Sequence, residues 1–484
     1  MMVFDNTYIT LPPSLWRRQV PSPLQRPKLL TLNHSLLSEL ALDAHWWHSA
    51  EALAGLSGAT PWPGTEAIAM KYAGHQFGGW NPDLGDGRGV LLGEIHAPNS
   101  ACNHIGATRI DLHLKGSGPT PFSRQGDGRA VLRSSIREYL AGEALHALGV
   151  PSTRALAIVS SAHPVRRERM ETAATLLRVS PCHIRFGHFE WLFHSQQHDD
   201  IRALADYCIA RYYPDAANHA KPYLALLAGI ISRTARLMAD WQAQGFAHGV
   251  MNTDNFSIAG ETLDFGPYGF LETYDPYLIC NHSDHNGRYA WYLQPSVGLW
   301  NLNALAQAFT TLISIPDIEL ALAQYEPQLI EHYDQCMNAK LGLGAVQIGD
   351  RDLVAAWLAL LQKSQQDYAQ RFRWLSEQPL QALSSADWGA HSPQASEWLA
   401  RYAQRLSSHN QAQRLHDMQA VNPCYVLRNY LAQQAIDAAE QGDALPLEQL
   451  TEALQSPFTR DQRFETFDAP APAWAACLSI SCSS

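Results

Sequence analysis

The sequence predicts an α+β fold, and three observations carry that expectation. Between about residues 65 and 130 glycine is dense and short β-type runs lie between the glycines. One long, mostly apolar helical stretch follows at 223–244. After about residue 300 glycine becomes rare, Gln, Ala and Leu dominate, and helical periodicity recurs. A chain of 484 residues with 46% hydrophobic content suggests two to three domains around a large core. The expected division is an irregular segment 1–64, a nucleotide-binding core 65–300 and a helical region 301–484.

The segment 1–64 is punctuated by Pro12, Pro13, Pro21, Pro23, Pro27, Pro61 and Pro63, which break both strands and helices. Residues 90–95 (VLLGEI) and 109–114 (RIDLHL) read as strands; in the second, Ile110, Leu112 and Leu114 alternate with Asp111 and His113. Their separation implies an enlarged hairpin loop. Residues 130–148 read as a helix stopped by Gly149 and Pro151, and 154–159 and 174–179 as further strands. Gly245 ends the helix 223–244. Two short β-like pieces are expected at 256–258 and 261–263, before a turn at Asp264-Phe265-Gly266. Helices are expected within 301–333, 351–378, 395–406 and 425–440.

Several classes fall away on composition. The 35 Lys+Arg against 46 Asp+Glu give a formal charge of -11, which argues against a general nucleic-acid or anionic-membrane binder. No run of about 18 apolar residues suggests a membrane-spanning helix, and the opening MMVFDNTYITLPPSLWRRQV has no apolar signal-peptide core. The eight cysteines contain no C-x-x-C pair, so zinc-ribbon and thioredoxin readings lose their basis. Reduced thiols and a cytoplasmic enzyme are expected.

The chemistry concentrates in five places. Leu84-Gly85-Asp86-Gly87-Arg88-Gly89 leads into the first strand; glycines let backbone N–H groups approach an anion, and Arg88 adds charge. Lys115, one of six lysines, closes the second strand beside Gly116-Ser117-Gly118, a position suited to a phosphate contact. Gly126-Asp127-Gly128-Arg129 feeds the helix 130–148, whose N-terminal amides suit phosphate as well. That helix carries Glu138 and Glu143, either of which could pair with Lys115; helical phase favours Glu143. Finally, His248-Gly-Val-Met-Asn-Thr-Asp254-Asn255 precedes Asp264-Phe265-Gly266. The Asn255 carbonyl and Asp264 carboxylate make a hard oxygen site suited to Mg²⁺ or Mn²⁺. Glycine loop, strand Lys, helix Glu, H-x6-N and DFG follow the order of the protein-kinase signature set. A two-lobed, protein-kinase-like core with a helical C-terminal extension is therefore expected. One departure matters: the position of a kinase's catalytic Asp is Val250, and the carboxylate stands at Asp254 instead.

KYAGHQFGGWNPDLGDGRG (71–89), DLHLKGSGPTPFSRQGDGRAVLRSSIREYL (111–140), RFGHFE (185–190), HGVMNTDNFSI (248–258) and LDFGPYGF (263–270) resemble the selenoprotein O family, whose bacterial form is YdiU. The resemblance runs nearly end to end. It implies a kinase-like fold that transfers AMP from ATP to Ser, Thr or Tyr of protein substrates, with UMP transfer from UTP described for bacterial members. It also implies a nucleotide bound in inverted orientation. By resemblance, Gly85, Gly87, Arg88, Lys115, Asp127, Gly128, Arg178, Arg185 and Asp264 are nucleotide-binding positions, and Glu138 is the ion-pair partner of Lys115. Asp254 is the proton acceptor, and Asn255 and Asp264 are the metal ligands. Cys482 matches a selenocysteine position of eukaryotic relatives, and a disulfide with Cys280 is expected, with Cys477 as the competing partner. His282, Asp284 and His285 read as part of a solvated loop rather than a metal site.

Two rival readings stand beside nucleotidyl transfer: a true kinase with Asp254 as base, and a nucleotide-binding scaffold without turnover. The scaffold would not require Lys115, Asn255 and Asp264 together. Within the acidic total, residues 109–185 hold 12 Arg+Lys and 6 Asp+Glu, a net of +6 that leaves -17 elsewhere. The expected phosphate contacts lie largely in that basic stretch.

Overall fold

A computed structural model describes residues 2–97, 108–407, 409–478 and 480 of the chain. Its first half is built on one antiparallel sheet. In chain order the strands are β1 (Phe4–Asp5), β2 (Trp16–Arg18), β3 (Lys28–Leu32), β4 (Ile68–Met70), β5 (Gly74–Gln76), β6 (Gly79–Asn81), β7 (Gly89–His96), β8 (Arg109–Lys115), β9 (Ala130–Val131), β10 (Arg154–Arg166) and β11 (Met170–Ser180). The sheet order is β2-β4-β7-β8-β11-β10-β3, with β1 added to β7 and β9 to β11. Register places Gly89 opposite Lys115 and Arg178 opposite His113. β5 and β6 form a separate hairpin.

The segment expected to be irregular supplies β1 to β3 and two helices, α1 (His34–Glu39) and α2 (Ala50–Leu56). Asn33 and Ser49 cap them through their side chains. Trp47, Leu56 and Trp62 from this segment pack with Val90, Leu112 and Leu177 over one face of the sheet. Its many prolines set turns between short elements rather than abolishing them.

On the other face lies α3 (Leu132–Ala147). It begins two residues later than expected, because Ala130 and Val131 pair with β11. The strands β10 and β11 run well past the apolar stretches that announce them. The outer part of β10, Ser160 to Arg166, is largely polar and partly exposed, and β11 opens on exposed Met170 and Thr172 about a buried Glu171, too few apolar residues to read as strand.

After β11 come α4 (Phe186–His194), α5 (His198–Tyr212) and α6 (Pro222–Gln244). Pro222 stands in the first turn of α6, and Gly245 caps its end at φ +68°. The short pair β12 (Phe246–Ala247) and β13 (Gly269–Phe270) brackets the H-x6-N and DFG segments. The β-like pieces expected at 256–258 and 261–263 are not strands. Each makes one isolated bridge, Ser257 to Arg185 and Thr262 to Ser152, formed by Ile258 N on Ile184 O and Thr262 N on Pro151 O, and the turn at Gly260, φ +72°, separates the two.

The remainder is helical: α7 (Gln294–Phe309), α8 (Ile315–Leu322), α9 (Tyr325–Leu341), α10 (Asp350–Ser364), α11 (Tyr368–Glu377), α12 (Ser392–Arg405), α13 (Gln411–Gln419), α14 (Asn429–Glu440) and α15 (Leu445–Gln455). The periodic run 301–333 spans three helices because Ser314 caps α8, its side chain accepting from Asp317 N. The run 351–378 is broken at Gln365, which takes φ +51°, and Asp367 caps the helix that follows. α14 and α15 pack against α3 and join the core beneath the sheet. No described helix is long and apolar enough to cross a membrane.

Candidate functional site

A cleft of about 570 Å³ opens where the sheet meets the segments around β12 and β13. Gly85, Gly87, Arg88, Lys115, Asp127, Gly128, Arg178, Arg185, Asp254, Asn255 and Asp264 all line it. Positions scattered over 180 residues of sequence thus line one cleft. The first turn of α3, expected to offer amides to phosphate, does not reach this lining.

The floor is a buried chain of charges. Lys115 Nζ is paired with Glu138 on α3. Arg178 Nε donates to the other oxygen of Glu138 at 2.8 Å, and Arg178 Nη2 donates to Asp264 Oδ1 at 2.7 Å. Arg185 binds the second oxygen of Asp264 and donates to the Asp254 carbonyl at 2.8 Å. Glu143 has a different role, held by Arg154 at 2.7 Å. Burial opposes charge on Glu138, but Arg178 and Lys115 outweigh it and hold the carboxyl at about 2. Asp264 likewise lies well below the usual range, since Arg185, Arg178 and Lys115 overcome its burial. Burial brings Lys115 down to about 8 against the pull of Glu138. Three cations against two carboxylates leave this chain with one positive charge beside the cleft.

Asp264 sits at φ +60°, a left-handed conformation uncommon outside glycine and Asn/Asp. Its side chain is 26% exposed, so it reaches the cleft while tied to both arginines. Asn255 Nδ2 donates to Val250 O at 2.9 Å, which leaves its Oδ1 as the available end. An ionised carboxylate with spare lone pairs and an amide oxygen fit a hard dication such as Mg²⁺ or Mn²⁺.

Asp254 is buried. Its Oδ2 accepts from Gln76 Nε2 at 3.2 Å, while Oδ1 has no hydrogen-bond partner among the described residues. Burial pushes the carboxyl up to about 7, with Arg185 opposing. The β5–β6 hairpin clamps this loop: His75 N donates to Thr253 Oγ1 at 2.7 Å, and Phe77 N donates to Asn252 Oδ1 at 3.1 Å. Gly74 is required there, since a Cβ would lie 2.7 Å from Asp254 Oδ1. His75 Nδ1 pairs in turn with buried Glu190 at 2.5 Å. Residue type alone does not single out Gln76, His75 and Glu190; they lie in the segments 71–89 and 185–190, whose signal is the family resemblance. His248 is a strap: its Nε2 donates to Leu263 O at 2.9 Å and its ring stacks on Trp241.

The two GDGR tetrapeptides behave differently. In the first, Asp86 points inward, accepting from Met70 N at 3.1 Å and meeting His113 Nε2 at 3.3 Å. At Gly85, φ +146°, a Cβ would meet Phe122 at 2.7 Å. Arg88 is exposed, and among the described residues no ion pair or side-chain hydrogen bond holds it. In the second, Asp127 takes a two-fold contact from Arg167 at 2.8 Å and caps Arg129 N at 2.9 Å. Arg167 and Arg124 also line the cleft.

The profile described as "Protein adenylyltransferase SelO" matches residues 2–455. The chain belongs to the SelO family. A "Protein nucleotidyltransferase YdiU" of Vibrio vulnificus (strain YJ016) is 48% identical over 490 residues, covering 99% of this chain and 98% of its own length. The protein of the same name from Yersinia pseudotuberculosis serotype O:1b is 48% identical over 485 residues, covering 99% of each. That of Pseudoalteromonas atlantica is 47% identical over 492 residues, covering 100% of each. With SelO membership the antiparallel sheet lobe, the helical lobe and the cleft between them take their place as a kinase-like core, and the chain as an enzyme of the nucleotidyltransferase class.

Two expected features stand apart from the cleft. His282 and His285 are exposed, as a solvated loop requires, but Asp284 is buried and accepts from Arg288 N and Tyr289 N at 3.0 and 2.7 Å, which shapes a turn. Cys482 lies outside the described residues. Cys280 is partly buried, with Sγ 3.6 Å from Ala247 O, and two residues on His282 N donates to Ile480 O at 2.9 Å.

Proposed function

We propose that this chain moves AMP from ATP to a Ser, Thr or Tyr hydroxyl of a protein acceptor and releases pyrophosphate, with UTP and UMP as the alternative donor and group. The observation that carries this reading is the carboxylate arrangement. Val250, where a kinase holds its base, is apolar, while Asp254 faces the same cleft with one oxygen unpartnered among the described residues and its carboxyl near 7.

The acceptor oxygen attacks the α-phosphorus, forming the new P–O bond as the bond to the β-phosphate oxygen breaks. The electron pair leaves with pyrophosphate, and Asp254 takes the hydroxyl proton. Lys115, Arg178 and Arg185, whose side chains are buried, supply fixed positive charge to the phosphate chain. Gly85, Gly87 and Gly128 let backbone approach the nucleotide, and Arg88 and Asp127 close its rim. Asn255 and Asp264 would hold Mg²⁺ or Mn²⁺, which supplies further charge neutralisation on the phosphates. The inverted nucleotide orientation follows from the family resemblance. Protein acceptors accord with the descriptions of the relatives.

The test uses ATP labelled at either the α- or the γ-phosphate, with Mg²⁺ or Mn²⁺ and an acceptor protein. Label retained on protein from the α-position alone supports AMP transfer. Retention from the γ-position alone assigns a kinase instead, and retention from neither assigns a scaffold.

A further inference from the structure

Away from the cleft, three potential ligand atoms converge. Asp240 stands on α6, and His332 and Cys336 stand four residues apart on α9, which puts both on one helical face. His332 Nε2 lies 2.7 Å from Asp240 Oδ1. Cys336 Sγ lies 3.8 Å from the same oxygen and 3.7 Å from the same nitrogen. Among the described residues this is the only group of three or more His, Cys, Asp or Glu side chains whose ligand atoms come within 4.8 Å of one another.

A nucleophile–base–orienter relay does not explain it. In such a relay the nucleophile and the acid take opposite nitrogens of the imidazole. Here Asp240 and Cys336 both face Nε2, the arrangement of donors around a shared centre. Ligands bound to a tetrahedral zinc ion at about 2.0–2.3 Å lie roughly 3.3–3.8 Å from one another. Two of the three separations already fall in that range, and the third needs a small outward rotation of His332.

We propose that Asp240, His332 and Cys336 bind a Zn²⁺-class ion that staples α6 to α9, with water in the fourth position. Side-chain exposure of 21% for His332 and 13% for Asp240 leaves an entry path. Thiolate, imidazole and carboxylate together select a borderline-soft ion over Mg²⁺, so the site is chemically distinct from the oxygen site of the cleft. None of the three residues lines that cleft. The staple nevertheless bears on it: α6 ends four residues after Asp240 and leads through Gly245 and β12 into the loop His248–Asn255. Fixing α6 fixes the base of that loop.

The experiment titrates the chelator-treated full chain with Co²⁺, then displaces it with Zn²⁺. The expected result is a thiolate-to-cobalt absorption band, lost in Cys336→Ser and His332→Ala and kept in Cys280→Ser and Cys477→Ser. Zn²⁺ affinity should fall at least about tenfold in the ligand variants, and Zn²⁺ should raise the thermal midpoint of the wild-type chain. Asp240→Asn, close in shape, provides the same comparison if another variant does not fold. No band in the wild type, or a band and Zn²⁺ affinity unchanged in Cys336→Ser and Asp240→Asn, overturns the site.

Discussion

Gln76 Nε2 donates to Asp254 Oδ2 across 178 residues of sequence at 3.2 Å, the one side-chain hydrogen bond that reaches this buried carboxylate among the described residues. A donor on the charged form favours ionisation. The carboxyl lies near 7 because burial exceeds the help of Arg185 and Gln76. If Asp254 accepts the hydroxyl proton, kcat/KM rises with pH through an apparent pKa of about 7. Gln76→Leu should displace that limb to higher pH. Asp254→Asn should lower kcat by roughly 10²–10⁴-fold and remove the limb. A Gln76→Leu profile superimposable on wild type would separate the limb from Asp254.

Gly74 tests position rather than chemistry. A Cβ there would fall 2.7 Å from Asp254 Oδ1 and 3.1 Å from Asp254 N, closer than packing allows, so the carboxylate must shift. Gly74→Ala should lower kcat on the order of 10²-fold, the scale of a displacement near 1 Å, with ATP affinity little changed. Equilibrium binding of ATP beside steady-state kinetics gives the comparison. A loss of ATP binding as large as the loss of kcat would show that the hairpin acts on the nucleotide instead.

The order of motifs was readable because each one sits within a single element or turn: the glycine loop before β7, Lys115 at the end of β8, and the DFG turn. Partner choice was not. Helical phase favours Glu143 over Glu138 only if α3 has an outer face. Both glutamates are almost fully buried, so phase carries no preference, and the choice falls to Arg178 on β11 and Arg154 on β10. The hairpin that holds Asp254 was hidden for a related reason. β5 and β6 are three residues each, with no apolar alternation, and they gain their place from contacts to residues 252–254. The left-handed Asp264 leaves no trace in composition. The α+β fold was legible as a class, while its outer layer of α1, α2 and tryptophans was masked by proline punctuation.

Arg88 tests the electrostatic part of the proposed nucleotide contact. It is exposed at the cleft rim, and no ion pair among the described residues uses it. Arg88→Ala should therefore change folding stability by less than about 0.5 kcal/mol. ATP affinity should weaken about tenfold, equivalent to about 1.4 kcal/mol, and the salt dependence of binding should lessen. Calorimetric titration of ATP at low and high salt, with urea denaturation alongside, measures all three. Unchanged affinity would place Arg88 outside the nucleotide contact.

The buried charge chain makes a prediction about acid stability. Glu138 is held at about 2 by Arg178 and Lys115 despite its burial, and Asp264 lies well below its ordinary value. Depressed carboxylates stabilise the fold above their unfolded values, 4.5 and 3.8, and that contribution is lost as pH falls toward 2. Glu138→Gln removes one anion from between two cations, leaving Lys115 without its partner. Breaking such a buried pair costs about 3–5 kcal/mol at neutral pH. The gap between wild type and variant should narrow steadily below pH 4.5, as the wild type loses the charge the variant lacks. Asp254, whose carboxyl is raised, titrates in the opposite sense between about 3.8 and 7 and adds nothing to the gap because both proteins carry it. Urea denaturation at a series of pH values reads this directly. A gap that stays constant down to pH 3 would mean that Glu138 contributes through packing and hydrogen bonding rather than through its charge.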